Sequence, residues 1–173
     1  PDMLQRENPP VGRRVLLAMA ALFGIVCALI GISRQPDPNI LNYVLVLSVG
    51  GAAVSALLWN APAISARTVL GVSLVAHLLA LLAQPVFEND YYRFIWDGWR
   101  TLQAGTPYGI APDSFFGDES VPEALRTVLS GINHPDLATI YGPFLELCFA
   151  ASYVLGGANS LALRLCFMLA NIV

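Results

Sequence analysis

Two acidic side chains stand two positions apart in the most polar stretch of an otherwise aliphatic chain. Glu88 and Asp90 lie near the start of FENDYYRFIWDGWRTLQAGTPYG, residues 87–109. Two carboxylates at this spacing could hold a divalent metal ion, Mg²⁺ or Mn²⁺. Alternatively, one could accept a proton from a hydroxyl nucleophile while the other orients or binds. An acid at the end of an apolar run is also common, so the pair marks a candidate site only.

A stripe of charged residues begins at the second acid. At about 100° per residue, residues 90–103 form an amphipathic helix. One sector carries Asp90, Arg93, Asp97 and Arg100, and the opposite side carries Tyr91, Ile95, Trp99 and Leu102. We expect the aromatic side to lie at the headgroup level of a membrane. The simplest interpretation of the charged side is a solvated face with the ion pairs Arg93–Asp97 and Asp97–Arg100.

The elements that position these residues are strongly apolar. Of 173 residues, 56% are hydrophobic and 12% are charged, whereas about a quarter of a soluble domain is charged. Crossing the hydrocarbon core takes roughly 20 helical residues. Five apolar runs therefore predict an all-α, polytopic transmembrane protein, with spans at about 15–32, 40–59, 68–87, 139–155 and 159–173. The fifth run is still apolar at Val173, so we expect residues 1–173 to be the N-terminal part of a single integral-membrane domain.

Arginines set the predicted orientation, because positive charge is retained on the cytoplasmic side. Arg13 and Arg14 precede the first span, and Arg67 lies between the second and third. The protein is then expected in the cell membrane (plasma or inner membrane), with the loop 88–138 on its extracytoplasmic side. Further arginines within that loop oppose this assignment, although so long a loop is less bound by the rule.

The residue pattern of the same loop predicts a second short helix. Ser120 and Glu123 have capping-box spacing, Pro122 falls in the first turn and Gly131 follows the last, which predicts a helix of about nine residues.

The fourth predicted span contains an acid, Glu146. It would lie about 10 Å deep if that span starts at Thr139. An ionisable residue at that depth is a candidate for function by default.

Two segments carry a resemblance to a known family. ENDYYRFIWDGWRTLQAGTPYG resembles the first large extracytoplasmic loop of bacterial GT-C glycosyltransferases, especially the polyprenol-phosphate-mannose-dependent α-mannosyltransferases, with an acidic pair, D-x-Y-R-Y-x-W-D-G and G-x-N-P-Y. INHPDLATIYGPFLELCF resembles the exit of that loop, an N-x-P or H-P element followed by T-x-Y-P-P. Gly142 replaces the first proline of Tyr-Pro-Pro, Thr106 replaces asparagine, and the loop follows a third span where many members place it after the first.

The resemblance implies a membrane glycosyltransferase that moves a sugar, mannose by analogy, from a polyprenyl-phosphate donor to an extracytoplasmic glycan or glycolipid. It gives Asp90 the role of general base and Glu88 an assisting or metal-binding role, and the two roles could be exchanged. It also indicates candidate substrate-binding residues, namely Arg93, Asp97, Arg100, His134 and Tyr141. For each of these a structural role is the alternative: Arg93 and Arg100 as partners of Asp97, His134 as a loop residue before proline, and Tyr141 as an interfacial aromatic.

A function of another class fits the same features. A non-catalytic polytopic protein, such as a lipid or sugar carrier subunit, could use the charged loop as a gate or docking surface. Binding alone would need the aromatic residues and arginines but would depend less on Asp90. In either case the expected partners are membrane lipid and a sugar-bearing lipid, and no basic patch indicates nucleic acid.

Overall fold

The computed structural model describes residues 11–59, 61 and 64–172, and this part of the chain is all-helical. It contains seven α-helices, one short 3₁₀ helix and no β-strand. The predicted all-α class is therefore confirmed. The chain divides into two compact units, residues 1–84 and 85–173.

The first unit contains three helices: α1 (Val11–Ser33), α2 (Ile40–Leu58) and α3 (Ala66–Ala80). Helix α1 packs against both α2 and α3. Asn39 starts α2, because its side-chain oxygen accepts a hydrogen bond from the backbone N–H of Leu41 at 2.8 Å. This contact satisfies one of the N–H groups that a helix leaves unpaired at its first turn.

Two of these helices are long and apolar enough to cross a membrane. Helix α1 has 23 residues and α2 has 19, close to the first two predicted spans. These two candidate spanning helices point to association with a membrane.

The third predicted span, 68–87, is helical only in its first part. Helix α3 has 15 residues and ends at Ala80, so it is about 22 Å long against a hydrocarbon core of roughly 30 Å. Residues 81–82 form a turn, and Pro85 disfavours helical backbone at the residue before it. The apolar residues continue to Phe87, and for this reason the sequence pattern placed the C-terminal end of the helix too late.

The second unit contains α4 (Tyr91–Ala104), the 3₁₀ helix Pro112–Phe115, α5 (Glu123–Ser130), α6 (Pro143–Gly156) and α7 (Ser160–Ile172). Helix α4 packs against α5, α6 and α7. Helices α6 and α7 have 14 and 13 residues, shorter than the fourth and fifth predicted spans. Because α6 begins at Pro143, Glu146 lies in its first turn, and the helix does not start at Thr139, the position from which the depth of Glu146 was counted.

The apolar face of α4 is covered by protein. Ile95, Trp96 and Trp99 are buried in a core with residues of α5 and its flanks, Val121, Leu125, Val128, Leu129 and Ile132. The prediction that this face lies on a membrane is therefore wrong for Ile95 and Trp99. Periodicity along one helix shows that a face is apolar but cannot show which surface covers it.

The second short helix of the loop is confirmed, but its predicted cap is not formed. Helix α5 has eight residues and ends at Ser130, with Gly131 at the C-cap position. Pro122 occupies the N-cap position without a side-chain hydrogen bond. The backbone N–H of Ser120 instead donates to Asp118 Oδ1 at 2.8 Å, so Ser120 belongs to the preceding turn.

Gly98 allows α4 and α6 to approach closely. A Cβ atom at this position would overlap the backbone carbonyl of Phe149, and a backbone group cannot rotate away. We expect Gly98→Ala to destabilise the second unit by about 1–3 kcal/mol, the usual cost of overpacking. Thermal unfolding of the detergent-solubilised protein measures this loss.

Gly71→Ala is the matched control, because Gly71 is also helical but has open space where its Cβ would lie. Its expected effect is neutral to stabilising, since alanine exceeds glycine in helix propensity by about 1 kcal/mol. Equal unfolding temperatures for Gly98→Ala and the wild type would contradict the close approach of α4 and α6.

Candidate functional site

The N-terminus of α4 holds Asp90 at the N-cap position. Its backbone carbonyl accepts the N–H of Phe94 at 3.1 Å, which starts the helical ladder. The first turn therefore fixes the backbone of Asp90.

Two asparagines connect this helix start to the loop after α5. The Asn133 amide donates to Asp90 Oδ1 at 3.3 Å and also to Asn89 Oδ1. In return, the Asn89 amide donates to the carbonyl of Gly131 at 3.3 Å. These bonds bring together two segments of the sequence, one around residue 90 and one around residue 133.

A pocket of about 200 Å³ opens between these two segments. Its polar lining is Asp90, Arg93, Asn133, His134 and Tyr141, and the rest is aliphatic, namely Leu137, Ala138 and Ile140. A larger pocket of about 350 Å³ lies in the first unit, where its lining is mostly apolar and includes none of the candidate site residues. The chemistry predicted from the sequence therefore points to the smaller pocket.

Arg93 lies at the base of the site and is held by three hydrogen bonds. Its Nε donates to both carboxylate oxygens of Asp97, at 3.1 and 3.0 Å, and its Nη2 donates to the carbonyl of Leu137 at 2.8 Å. No hydrogen bond to a described residue involves Nη1, so a donor remains for a ligand. Guanidinium groups bind phosphate well because their donors lie in one plane.

The Arg93–Asp97 ion pair predicted from the i to i+4 spacing is confirmed, but its environment is not the predicted one. Arg93 is 8% exposed and Asp97 is 2% exposed, so this part of the stripe faces α6 and the loop before it. Burial raises the pKa of Asp97 above its usual value, and the charge of Arg93 partly offsets that rise. The solvated-face interpretation is wrong for these two residues.

Arg100 is directed elsewhere. Its guanidinium lies 4.4 Å from the ring centre of Phe115 and 5.7 Å from that of Trp99, as in a cation–π contact. The predicted ion pair Asp97–Arg100 is absent from the described residues, and Arg100 does not line the pocket. Helical spacing placed Arg100 on the charged face, but its guanidinium contacts aromatic rings, and Asp97 pairs with Arg93.

Of the two acids of the pair, only Asp90 lies at the pocket. Glu88 is exposed and does not line the pocket, whereas Asp90 does. Among the described residues, no group of three or more histidines, cysteines, aspartates or glutamates is arranged to hold a metal ion. At the pocket itself, the side chains of metal-ligating type are those of Asp90 and His134, and the metal site of Glu88 and Asp90 stays a prediction.

His134 lies on the rim in a rare backbone conformation. Its φ is +48°, the left-handed region that residues other than glycine seldom adopt. The next residue is Pro135, whose carbonyl accepts the N–H of Asp113 at 2.9 Å, and this bond holds the turn. Strained backbone of this kind is concentrated at binding sites.

Tyr141 closes the site on the α6 side. Its ring makes edge contacts with Phe94 and Phe149, with ring centres 5.2 and 5.7 Å apart. The Tyr108 hydroxyl donates to the Tyr141 carbonyl at 2.8 Å. Tyr108, in the GTPYG part of the motif, thus contacts the backbone of a pocket residue without lining the pocket itself, and sequence reasoning did not single it out.

The sequence-predicted residues are thus only partly gathered. Asp90, Arg93, His134 and Tyr141 line one pocket, with Asp97 directly behind Arg93. Glu88 and Arg100 lie outside it. Asn89 and Asn133 were missed as positioning residues, and their only signal was membership in the two motif segments.

Comparisons with protein-family models, with curated proteins and with solved structures each find no match. The resemblance to GT-C glycosyltransferases therefore rests on the two sequence segments alone.

Proposed function

We propose that this protein is a membrane glycosyltransferase of GT-C type, which transfers a sugar from a polyprenyl-phosphate donor to an extracytoplasmic glycan or glycolipid. One observation carries the proposal. The two segments that resemble the family's loop both contribute to one pocket, with Asp90 and Asn133 hydrogen bonded across 43 residues of sequence. Mannose is the sugar that the resemblance indicates.

The reaction is a displacement at the anomeric carbon. The acceptor oxygen forms a bond to that carbon as the carbon–oxygen bond to phosphate breaks, and the polyprenyl phosphate leaves with the bonding electrons. Asp90 takes the hydroxyl proton of the acceptor as general base. Arg93 and His134 line the same pocket and stabilise the charge that develops on the phosphate.

One departure from the family motif, Gly142 in place of the first proline of Tyr-Pro-Pro, is compatible with this role. Gly142 has φ −73° and ψ 158°, which is backbone that proline also adopts. The backbone at position 142 therefore has a conformation that the family's proline could adopt. Pro143 at the first helical position supplies the second proline of that element.

The proposed topology has five spans, with α3, α6 and α7 crossing in addition to α1 and α2, and the loop 88–138 outside. The shorter helices would need polar flanks or a thinned bilayer, at a modest energetic cost. Single cysteines in a cysteine-free background, labelled from outside intact cells, test this arrangement. We expect labelling at positions 113 and 119 and protection at position 67; the reverse pattern would overturn the topology and the use of an extracytoplasmic donor.

Transfer itself is tested in membranes that contain the protein. Supplied with radiolabelled polyprenyl-phosphate mannose, these membranes should yield labelled glycan or glycolipid, and matched membranes lacking the protein should not. Binding of the donor without any transfer would favour the carrier function instead.

A further inference from the structure

Two exposed aliphatic side chains line the pocket beside its buried arginine. Leu137 is 54% exposed and Ile140 is 86% exposed, and both line the pocket together with Arg93. Single exposed apolar residues are normal on a protein surface. Beside a charged group in a concave site, however, they match the usual lining of a small-molecule pocket, an apolar wall with a few polar groups that fix the orientation of the ligand.

The arginine is nearly buried and still has a donor for a ligand. Arg93 is 8% exposed, and its Nε and Nη2 are bonded to Asp97 and to the Leu137 carbonyl. Its Nη1 has no hydrogen bond to a described residue, yet it is not one of the buried polar atoms that lack a partner. Nη1 therefore reaches accessible space, and the pocket is the space that this side chain lines. An oxyanion in the pocket can accept the N–H groups of Nη1.

One short segment, residues 137–140, holds the arginine and also supplies the apolar wall. The Leu137 carbonyl accepts the hydrogen bond of Arg93 Nη2 at 2.8 Å, while the side chains of Leu137 and Ile140 line the pocket. The cationic and aliphatic groups are thus tied to the same stretch of backbone. A ligand that binds Nη1 through an anionic group can cover the aliphatic side chains with the atoms next to that group.

The apolar wall favours a phosphate that is linked to a lipid. A soluble phosphate would leave Leu137 and Ile140 in water, whereas the first carbons of a lipid chain would remove both side chains from water, which is favourable in proportion to the apolar area buried. Helix α6 begins at Pro143, directly after this segment. In the proposed topology α6 enters the bilayer there, so a lipid chain reaches the wall from the membrane.

We infer that residues 137–140 bind the part of a lipid phosphate that is next to its phosphate group. The anion lies at Arg93 Nη1, and the first carbons of the chain lie on Leu137 and Ile140. The inference rests on the proposed function, because it states where the polyprenyl chain of the donor leaves the pocket. Ile140 is thereby a specificity-determining residue, which selects a lipid-linked phosphate over a soluble one.

The site is tested by photo-crosslinking of the whole protein in phosphatidylcholine nanodiscs. The probe is a polyprenyl monophosphate with a diazirine on the isoprene unit next to the phosphate. We expect irradiation to label the peptide that contains residues 137–140. Unlabelled polyprenyl monophosphate should displace this label, and polyprenol, which lacks the phosphate, should not. No label on this peptide, or equal displacement by polyprenol, would show that the inference is wrong.

Ile140→Ser tests the contribution of the apolar wall to donor binding. Because Ile140 is exposed, serine should leave the unfolding temperature unchanged. Loss of its contact with the lipid chain should raise the KM for polyprenyl-phosphate mannose about tenfold, the effect of burying one aliphatic side chain, with little change in kcat. Ile110→Ser is the matched control, because Ile110 is 50% exposed in the same unit and does not line the pocket.

The lipid contact and the proposed function can fail separately. Transfer by the wild type, with equal KM values for the two serine variants, would refute the lipid contact and leave the glycosyltransferase function standing. Labelling of residues 137–140 in a protein that transfers no sugar would support the lipid site and refute the proposed function, as expected of a carrier.

Discussion

Replacing Asp90 by asparagine is expected to lower the rate of sugar transfer roughly 100- to 10,000-fold, the loss that follows removal of a general base. Asparagine has nearly the same shape, and its side-chain oxygen can still accept the 3.3 Å hydrogen bond from Asn133. What it cannot do at neutral pH is take a proton from the acceptor hydroxyl. Initial rates with labelled donor in membrane vesicles measure the loss, which we expect in kcat, with KM for the donor little changed.

Glu88→Gln is the matched control, because Glu88 is an exposed acid only two residues away and lies outside the pocket. Its expected effect on kcat is less than about threefold, as for most surface substitutions. Loss of activity in Glu88→Gln alone would exchange the roles of the two acids. Full transfer activity in both variants would mean that neither Asp90 nor Glu88 is the general base.

The sequence predicted the helices of the site better than their surroundings. Helix α4 follows from its strong 3.6-residue periodicity, and its C-cap residue is Gly105, whose φ of 72° is readily adopted by glycine. Its aromatic face was expected against lipid, yet α5 covers it. The partner of an apolar face is a tertiary property, and periodicity along one helix contains no information about it.

The sequence spacing predicted that Arg93 and Asp97 would pair, but it did not predict that the pair would be buried. The spacing of Arg93 and Asp97 is enough to expect contact on one helix. Their burial depends on Gly98, which brings α6 close, and on the segment 137–141, which covers the pair. Charge runs along a helix usually form solvated faces, and the spacing on α4 does not show that another segment covers the pair.

Some of the residues that the motifs indicated lie together at the pocket, because the two motif segments are hydrogen bonded to each other. The asparagine bonds bring Asp90 and His134 to the same pocket. Arg100, one helical turn further along α4 than Asp97, is held by the Phe115 ring. Residues on one face of a helix share an orientation but not a partner, and the partner decides which of them can contact a ligand.

Arg93→Met should produce the largest loss of stability among these substitutions, about 3–5 kcal/mol, the usual cost of removing one member of a buried ion pair. Methionine fills much of the volume of the arginine stem. It leaves Asp97, which is 2% exposed, without a cation, and it leaves the Leu137 carbonyl without the donor now 2.8 Å away. Chemical unfolding of the solubilised protein, followed by tryptophan fluorescence, measures the loss because Trp96 and Trp99 lie in the core on the same helix.

The double variant Arg93→Met with Asp97→Asn separates the stability cost of the unpaired Asp97 charge from the cost of changing the shape of residue 93. If the cost arises from an uncompensated buried carboxylate, removing that charge should recover a large part of it, and the double-mutant cycle should give a coupling well above the roughly 0.5 kcal/mol within which independent sites add. Simple additivity would mean that the two charges are not coupled across the observed 3.0 Å contact. Since Arg93 also lines the pocket, recovered stability in the double variant without recovered transfer would assign the arginine a role with the substrate beyond holding Asp97.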